Sequence, residues 1–202
     1  MINNFLNKNK EFFNGDLIDI GGKKQASYAK IFSEVDCSII FLNIDPKTEP
    51  DICADAENIP LENSLLDGFL LIEVVEHLKN PSRVFKEAYR VLKDSSFGVV
   101  TCPFIFHEHS QPYDYQRLTA NKLSNELKNA GFEVVKIDKS GYLLSVIFDL
   151  IYGTISRNCF RGNLLSKLIK KFMDITSNFI YKLDSKFINN SVYSGTQILI
   201  KK

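Results

Sequence analysis

Acidic side chains that follow short apolar runs are the residues of this sequence best suited to hold a polar ligand. The first of them, Asp19, lies near the end of the run 17–20, and Gly21 and Gly22 come directly after that run. Glycines after a strand permit a sharp turn and let a ligand approach the backbone closely. A strand, a glycine turn and a helix in this order hold a nucleotide-like cofactor at the carboxyl edge of a parallel sheet. A tight turn that binds nothing is the alternative interpretation.

Three further acids end later apolar runs. Asp45 follows a nearly all-apolar run and precedes Pro46, which ends a strand. Asp55 follows the next, shorter run, and Glu73 lies near the end of the one after it. A carboxylate at the end of a parallel strand can accept hydrogen bonds from both hydroxyls of a ribose, so Asp45 is a candidate cofactor ligand. A solvated acid is the alternative for Asp45, and a turn-capping acid is the alternative for Asp55.

A second group of reactive side chains lies in the segment 102–118, which is rich in His, Pro, Tyr and acids. His107 and His109 are candidates for a base near neutral pH, and Asp114 is a candidate base or a holder of a substrate hydroxyl. Loop packing without chemistry is the alternative for the histidines. His-x-His can also bind a metal ion, but no third or fourth ligand is evident nearby, so no metal site is predicted.

The elements that position these residues alternate between strand and helix patterns. Apolar runs predict seven strands, at residues 17–20, 38–44, 51–55, 68–75, 97–101, 132–137 and 195–201. Apolar residues at helical spacing predict helices at residues 3–13, 26–35, 81–93 and 119–130. This alternation indicates one α/β domain over residues 1–202, with a doubly wound, seven-stranded, mostly parallel sheet. The leading helix is expected to cover one edge of that sheet.

Residues 142–188 interrupt the alternation before the last strand. They contain apolar clusters at helical spacing, with seven Lys or Arg against three Asp, and predict a helical insertion. A lid over the substrate cleft is the preferred interpretation. Peripheral contact with an anionic membrane surface is the next one, and a dimer interface is the third.

Composition limits the classes of partner. The formal charge of the 202 residues is +1, so no overall field attracts nucleic acid, and no nucleic-acid partner is expected. The four cysteines are scattered without a CxxC pair, which suggests a reducing compartment. No signal peptide or spanning segment is evident. The expected location is the cytoplasm, with the inner face of the membrane as a peripheral site.

The order of these motifs resembles a class I S-adenosylmethionine (SAM)-dependent methyltransferase. The resemblance covers residues 16–138 and the last strand, and the segments that carry it are 19–22, 43–45, 54–60, 73–78 and 81–92. It implies a Rossmann-like SAM methyltransferase fold, a methyl-transfer reaction and SAM as the cofactor.

The resemblance also implies a cofactor site made of Asp19, Gly21, Gly22, Asp45, Asp55, Ala56 and Glu73. Asp19 and Gly21 would lie by the amino-acid tail of SAM, and Asp45 by its ribose hydroxyls. Asp55 would face the adenine amine, Ala56 would donate its backbone N–H to the ring, and Glu73 would flank the sulfonium. Residues 76 and 77 are interpreted as structural.

One departure from the family pattern opens two alternatives. The family's loop runs Asp-x-Gly-x-Gly-x-Gly, and Lys23 and Gln25 stand at its second and third glycines here. A degenerate, non-catalytic binding or scaffold protein is therefore the first alternative. An NAD-dependent oxidoreductase is the second, disfavoured because the Gly-x-Gly-x-x-Gly fingerprint is missing.

The segment 112–119 resembles a Pro-x-Asp-[Tyr/Phe]-x-Arg-[Tyr/Leu]-Thr sequence of methyltransferases from bacterial cell-surface and polysaccharide gene neighbourhoods. This resemblance implies a small-molecule or saccharide-linked acceptor and a role in polysaccharide biosynthesis, with methylation expected at oxygen. The oligomeric state stays open.

Overall fold

The computed structural model describes residues 1–158, 171, 175–177, 179–180, 182–184 and 191–202. These residues form seven strands: β1 (Gly15–Ile20), β2 (Cys37–Asn43), β3 (Ile52–Cys53), β4 (Leu66–Ile72), β5 (Leu92–Pro103), β6 (Glu133–Ser140) and β7 (Gly195–Lys201). They make one sheet in the order β3-β2-β1-β4-β5-β7-β6. The expected doubly wound, mostly parallel, seven-stranded sheet is confirmed.

The sheet places the ends of its parallel strands together. β1 pairs in parallel with β2 and β4, and β4 pairs in parallel with β5. The carboxyl ends of these four strands therefore meet at one edge, where ligands of open α/β sheets bind. β7 is antiparallel to both of its neighbours, β5 and β6.

Five helices have both ends within the described residues: α1 (Ile2–Asn9), α2 (Ala29–Phe32), α3 (Pro81–Val91), α4 (Ala120–Asn129) and α5 (Leu143–Asn158). The predicted helix at 26–35 is wrong in extent, because α2 has only four residues. The residues before it form turns instead, in which Ala26 donates its N–H to Lys23 O at 2.9 Å and Ala29 donates to Ala26 O at 3.1 Å.

Two apolar layers lie on opposite faces of the sheet. Val84 and Phe85 of α3 and Leu123 of α4 are buried in one of them. Phe5 and Leu6 of α1 are buried in the other. The expectation that the leading helix covers an edge of the sheet is therefore wrong, since its apolar side chains are buried with those of the central strands.

The end of β4 also differs from the prediction. A strand was expected over 68–75, but β4 ends at Ile72, and Glu73 follows with a φ of 55°. A positive φ cannot continue an extended strand. Val75–His77 then forms a single 3-10 turn. Glu73, Glu76 and His77 consequently belong to the turn at the ligand-binding edge rather than to the strand.

The predicted insertion begins with α5, and its residues 159–170, 172–174, 178, 181 and 185–188 lie outside the described part of the chain. Several apolar side chains of α5 are exposed, among them Leu143, Ile147 and Ile151. Of the helices described, none is long and apolar enough to cross a membrane.

Candidate active site

The turn after β1 needs both of its glycines. Gly21 has a φ of 78°, and a Cβ atom there would lie 2.7 Å from Val74 Cγ2. A Cβ atom on Gly22 would lie 2.0 Å from Asp19 Oδ2. A side chain at either position would therefore displace its neighbour or strain the backbone. The turn wraps closely around the Asp19 carboxylate.

Asn43, at the end of β2, fixes this turn. Its amide nitrogen donates hydrogen bonds to Gly21 O and Gly22 O, both at 3.0 Å, and its Oδ1 accepts one from the Asp45 N–H at 3.0 Å. One side chain thus connects the ends of β1 and β2. Sequence reasoning assigned Asn43 no role of its own, although a polar residue at the end of an otherwise apolar strand was a visible signal.

Asp19 is fully buried beneath the turn. The Tyr28 hydroxyl donates to its Oδ2 at 2.9 Å, whereas its Oδ1 accepts no hydrogen bond from any described residue. Burial raises the pKa of Asp19 to about 7, and the Tyr28 hydrogen bond opposes that rise. A buried carboxylate with a free oxygen suits a cationic ligand group. The SAM ammonium group that the sequence resemblance assigns to Asp19 would be such a group.

Asp45 and Asp55 are both exposed, and one carboxylate oxygen of each accepts a hydrogen bond from the backbone. Asp45 Oδ1 accepts the Lys47 N–H at 3.0 Å, and Asp55 Oδ1 accepts the Glu57 N–H at 2.9 Å. Ala56, beside Asp55, is half-buried. The two aspartates follow β2 and β3, so the structure brings them to the same edge of the sheet as Asp19.

The side chains at the two altered glycine positions are exposed. Lys23 and Gln25 both lie at the surface, and the neighbouring Lys24 forms an ion pair with Asp51 at 2.6 Å. Lys23 also contributes its carbonyl to the turn that precedes α2.

Glu73 is held by Thr101 of β5 through two hydrogen bonds. The Glu73 N–H donates to Thr101 Oγ1 at 2.9 Å, and the Thr101 hydroxyl donates to Glu73 Oε1 at 2.7 Å. Burial raises the pKa of Glu73, while the Thr101 hydrogen bond and the charges of Arg117 and His77 lower it. A left-handed backbone at a residue other than glycine is strained, and such strain often accompanies function.

Asp114 orients His109. The His109 N–H donates to Asp114 Oδ2 at 2.7 Å, and His109 Nδ1 lies 3.4 Å from the same oxygen. Arg117 binds both oxygens of Asp114 and, with the His109 N–H, holds its pKa well below the usual range. A carboxylate so stabilised is a weak base, so this geometry favours positioning of His109 over proton removal by Asp114.

The two loop histidines occupy different surroundings. His107 stacks on Phe106 with ring centroids 4.1 Å apart, and its Nδ1 lies 2.6 Å from the position of a Cβ atom on Gly153 of α5. The ring centroids of His107 and His109 are 6.3 Å apart. The predicted pair is thus close together, but His107 packs against α5 and His109 against the turn after β4.

His109 meets two residues that were interpreted as structural. His109 Nε2 and His77 Nε2 each lie 3.7 Å from Glu76 Oε1, and the rings of the two histidines make an edge contact at 4.9 Å. Glu76 is fully buried. The sequence separation of His77 and His109 concealed this cluster, which forms because the loop after β5 folds back over the turn after β4.

A cavity of about 330 Å³ adjoins this region. Glu73, Phe106 and Asp149 of α5 are on its wall, and its polar lining includes Asn3, Ser140, Ser194 and Gln197. A second cavity of about 610 Å³ shares Met1, Ser140 and Gln197 with it. The first cavity connects the end of β4 to α5 and is the candidate acceptor site.

Comparison with known proteins identifies relatives of this chain by sequence and by fold. Residues 23–100 match the model of a family described as a methyltransferase domain. No curated protein sequence gave a significant match.

Solved structures share the fold over nearly the whole chain. A SAM-dependent methyltransferase from Archaeoglobus fulgidus is 19% identical with a TM-score of 0.64, over 100% of this chain and 93% of that one. A putative sarcosine dimethylglycine methyltransferase from Galdieria sulphuraria is 15% identical with a TM-score of 0.67, over 100% and 85%. Phosphoethanolamine N-methyltransferase 2 of Haemonchus contortus, in complex with SAM, is 15% identical with a TM-score of 0.62, over 94% and 49%.

At these identities, the likeness to solved structures establishes the fold. The domain match and the fold together support a class I SAM-dependent methyltransferase. They also support enzymatic activity with SAM as the cofactor.

Proposed function

We propose that this enzyme transfers the methyl group of SAM to a hydroxyl oxygen of a small, saccharide-linked acceptor in polysaccharide biosynthesis. The observation that carries the proposal is the 330 Å³ cavity beside Glu73. Its serine, asparagine and glutamine side chains can exchange hydrogen bonds with a polyhydroxylated molecule. The sequence segment 112–119, which resembles polysaccharide-associated methyltransferases, supports the same acceptor class.

The cofactor site we propose uses the residues at the carboxyl ends of the parallel strands. SAM supplies an electrophilic methyl group on a sulfonium. Asp19 offers a buried negative charge to the ammonium group, and the turn at Gly21 and Gly22 admits the tail. Asp45 accepts hydrogen bonds from the ribose hydroxyls, while Asp55 and the Ala56 N–H hold the adenine. Glu73, held by Thr101, lies between this site and the acceptor cavity.

Methyl transfer is an in-line displacement, so the main task of the protein is alignment of acceptor and donor. An acceptor hydroxyl must also lose its proton. His107 and His109 are the side chains suited to accept that proton near neutral pH. Burial lowers the pKa of His109, which favours the neutral imidazole. Asp114, through its contact with His109, serves as a positioning residue.

Two assays test this function. SAM and its demethylated product should raise the melting temperature in a concentration-dependent way, and NAD should not. Radiolabelled methyl should then pass from SAM to members of a panel of sugars and sugar conjugates. His107→Ala and His109→Ala should reduce turnover more than SAM affinity. Transfer to nitrogen rather than oxygen, or full turnover in both variants, would contradict the proposal.

A non-catalytic scaffold is the second candidate, favoured by Lys23 and Gln25 at the family's glycine positions. It predicts no stabilisation by SAM at millimolar concentration. Deletion of residues 142–188 would then abolish binding of a partner protein. SAM would have no effect on the stability of the intact chain.

We further propose that α5 forms part of a lid and that the enzyme works in the cytoplasm, peripherally at the inner face of the membrane. Asp149 on the cavity wall and the contact of Gly153 with His107 support the lid. The exposed apolar side chains of α5 and the positive surplus of residues 142–188 support membrane contact. Flotation with vesicles containing phosphatidylglycerol, but not with neutral vesicles, is the expected result. If the protein floats with neither kind of vesicle, membrane contact is contradicted and only the lid role of α5 remains.

A further inference from the structure

We propose that Glu76, His77 and His109 bind a divalent first-row transition-metal ion that holds the acceptor's hydroxyl oxygen. The ligand atoms of these three side chains all lie within 4.8 Å of one another. Two ligands of one ion, each about 2.1 Å from it in tetrahedral geometry, are roughly 3.4 Å apart. The separation of 3.7 Å from Glu76 Oε1 to each histidine Nε2 is close to this value. Small side-chain rotations would complete the site.

Glu76 is the strongest sign that a ligand is needed. Its side chain is fully buried, yet neither carboxylate oxygen accepts a hydrogen bond from the residues that the structure describes. An uncompensated buried carboxylate is costly. A cation between Glu76 and the two imidazoles would compensate this charge.

The hydrogen bonds around the histidines orient the correct nitrogen toward Glu76. His77 Nδ1 lies 2.6 Å from the carbonyl oxygen of Tyr113, and a carbonyl only accepts, so Nδ1 carries the proton. His109 Nδ1 faces Asp114 Oδ2 and the carbonyl of His107, both at 3.4 Å. In the neutral imidazoles, both Nε2 atoms therefore have free lone pairs. A carbonyl or carboxylate partner on the second nitrogen is characteristic of metal-binding histidines.

The backbone around the cluster is also fixed in advance. The Tyr115 N–H donates to Glu76 O at 2.8 Å, and Gln116 Nε2 donates to Val75 O and Leu78 O at 3.0 Å each. These bonds attach the loop after β5 to the turn after β4. Asp114, which orients His109, is itself held by Arg117. The three candidate ligands are thus positioned by two segments that are hydrogen-bonded to each other.

The ligand set indicates the class of ion and its role. Two imidazoles and one carboxylate suit Zn²⁺ and its first-row neighbours, and sites with three protein ligands keep a position open for water or substrate. Glu73 lies on the wall of the cavity described above, three residues before Glu76. An acceptor hydroxyl bound to the ion would become more acidic. His109 would then be occupied by the ion, which leaves His107 to accept the proton. This role, unlike the ion binding itself, depends on the proposed function.

Titration with Co²⁺ after removal of metal by dialysis against a chelator tests the site without SAM. The wild-type protein should bind one equivalent of Co²⁺, which is detected by its visible absorption bands. Added Zn²⁺ should abolish these bands. Glu76→Gln, His77→Ala and His109→Ala should each weaken Co²⁺ binding by at least about tenfold. His107→Ala, the matched control in the same loop, should bind like the wild type. No bands in the wild type, or equal losses in His107→Ala and His109→Ala, would overturn the proposal.

A second measurement separates this proposal from the proposed function and from misfolding. Stabilisation by SAM should persist in Glu76→Gln and His109→Ala, which shows that these variants fold. Chelator should abolish methyl transfer, and Zn²⁺ or Co²⁺ should restore it, without any change in stabilisation by SAM. Co²⁺ binding in a protein that ignores SAM would support the ion site and contradict the proposed function. Transfer that is insensitive to chelator would overturn the role assigned to the ion.

Discussion

Asp19 is a buried carboxylate whose free oxygen requires a partner. An Asp19→Asn substitution keeps an acceptor for the Tyr28 hydroxyl but removes the charge. Because a hydrogen bond to a charged group contributes about 1.5–3 kcal/mol, we expect SAM affinity to fall by roughly tenfold to a hundredfold. Isothermal titration calorimetry would measure the loss.

Asp16→Asn is the matched control, because Asp16 is an exposed acid on the same strand, bonded to the Ser38 hydroxyl. It should leave SAM affinity unchanged. Equal affinity of wild type and Asp19→Asn would remove Asp19 from the cofactor site.

The raised pKa of Asp19 also predicts how stability depends on pH without cofactor. Its pKa is about 7 in the folded protein against 3.8 when unperturbed. Between these values, the folded state binds more protons than the unfolded state, so the free energy of unfolding falls as pH rises. The free energy of unfolding of the wild type, relative to that of Asp19→Asn, should fall by up to about 1.4 kcal/mol per pH unit from pH 5 to 7.

Urea denaturation at several pH values measures this difference, and above pH 8 it should be constant. A difference that rises with pH would mean that the charged carboxylate is stabilised in the fold.

At the scale of elements, the ends of β1 and β2 are joined by one side chain. Asn43→Ala removes two hydrogen bonds to the glycine turn and one to Asp45. At about 0.5–1.5 kcal/mol each, their loss should cost roughly 2–4 kcal/mol of unfolding free energy. SAM affinity should fall as well, because the turn loses its support. Urea denaturation and calorimetry would measure the two effects.

Asn58→Ala is the comparison for that substitution, since Asn58 is exposed in the loop after β3. Asn58→Ala should change the free energy of unfolding and the SAM affinity only slightly. An Asn43→Ala protein with normal SAM affinity would mean that the turn holds its shape without the Asn43 side chain.

The unusual glycine loop is a separate question at the same scale. Since Lys23 and Gln25 are exposed, their side chains need not crowd a ligand. We therefore expect Lys23→Gly to change SAM affinity by less than about threefold, which corresponds to under 1 kcal/mol. A tenfold gain in affinity would instead identify Lys23 as an obstacle and favour the degenerate-protein alternative.

The sequence predicted elements best where the signal is local. β7 was predicted at 195–201 and lies there, and Thr119, the first residue of the helix predicted at 119–130, accepts the Lys122 N–H before α4. The extent of α2 was missed because turns in residues 23–28 replace its first part. The acids at the sheet edge could be identified from their position after apolar runs.

The side chains that contact the acids at the sheet edge could not be identified from the sequence. Thr101 contacts Glu73, and His109 contacts Glu76, only because the chain folds. Local pattern carries no information on such contacts between residues that are far apart in the chain.

At the scale of the whole molecule, β7 links the edge strand β6 to the other five strands of the sheet. Ile198 is buried on β7, between β5 and β6. Ile198→Ala should cost about 2–5 kcal/mol and lower the melting temperature in a single transition. Ile137→Ala on the neighbouring β6 is the control, since Ile137 is 40% exposed and should cost much less. Equal costs would contradict this view of the core.

The placement of β7 between β5 and β6 has a consequence for biosynthesis. While a ribosome extends the chain, β5 and β6 emerge long before the strand that separates them. Until then, both offer unpaired backbone edges, and such edges invite association between nascent chains. The sheet is therefore completed only after the residues between β6 and β7 have been translated, and this interval is when chaperones would benefit the chain most.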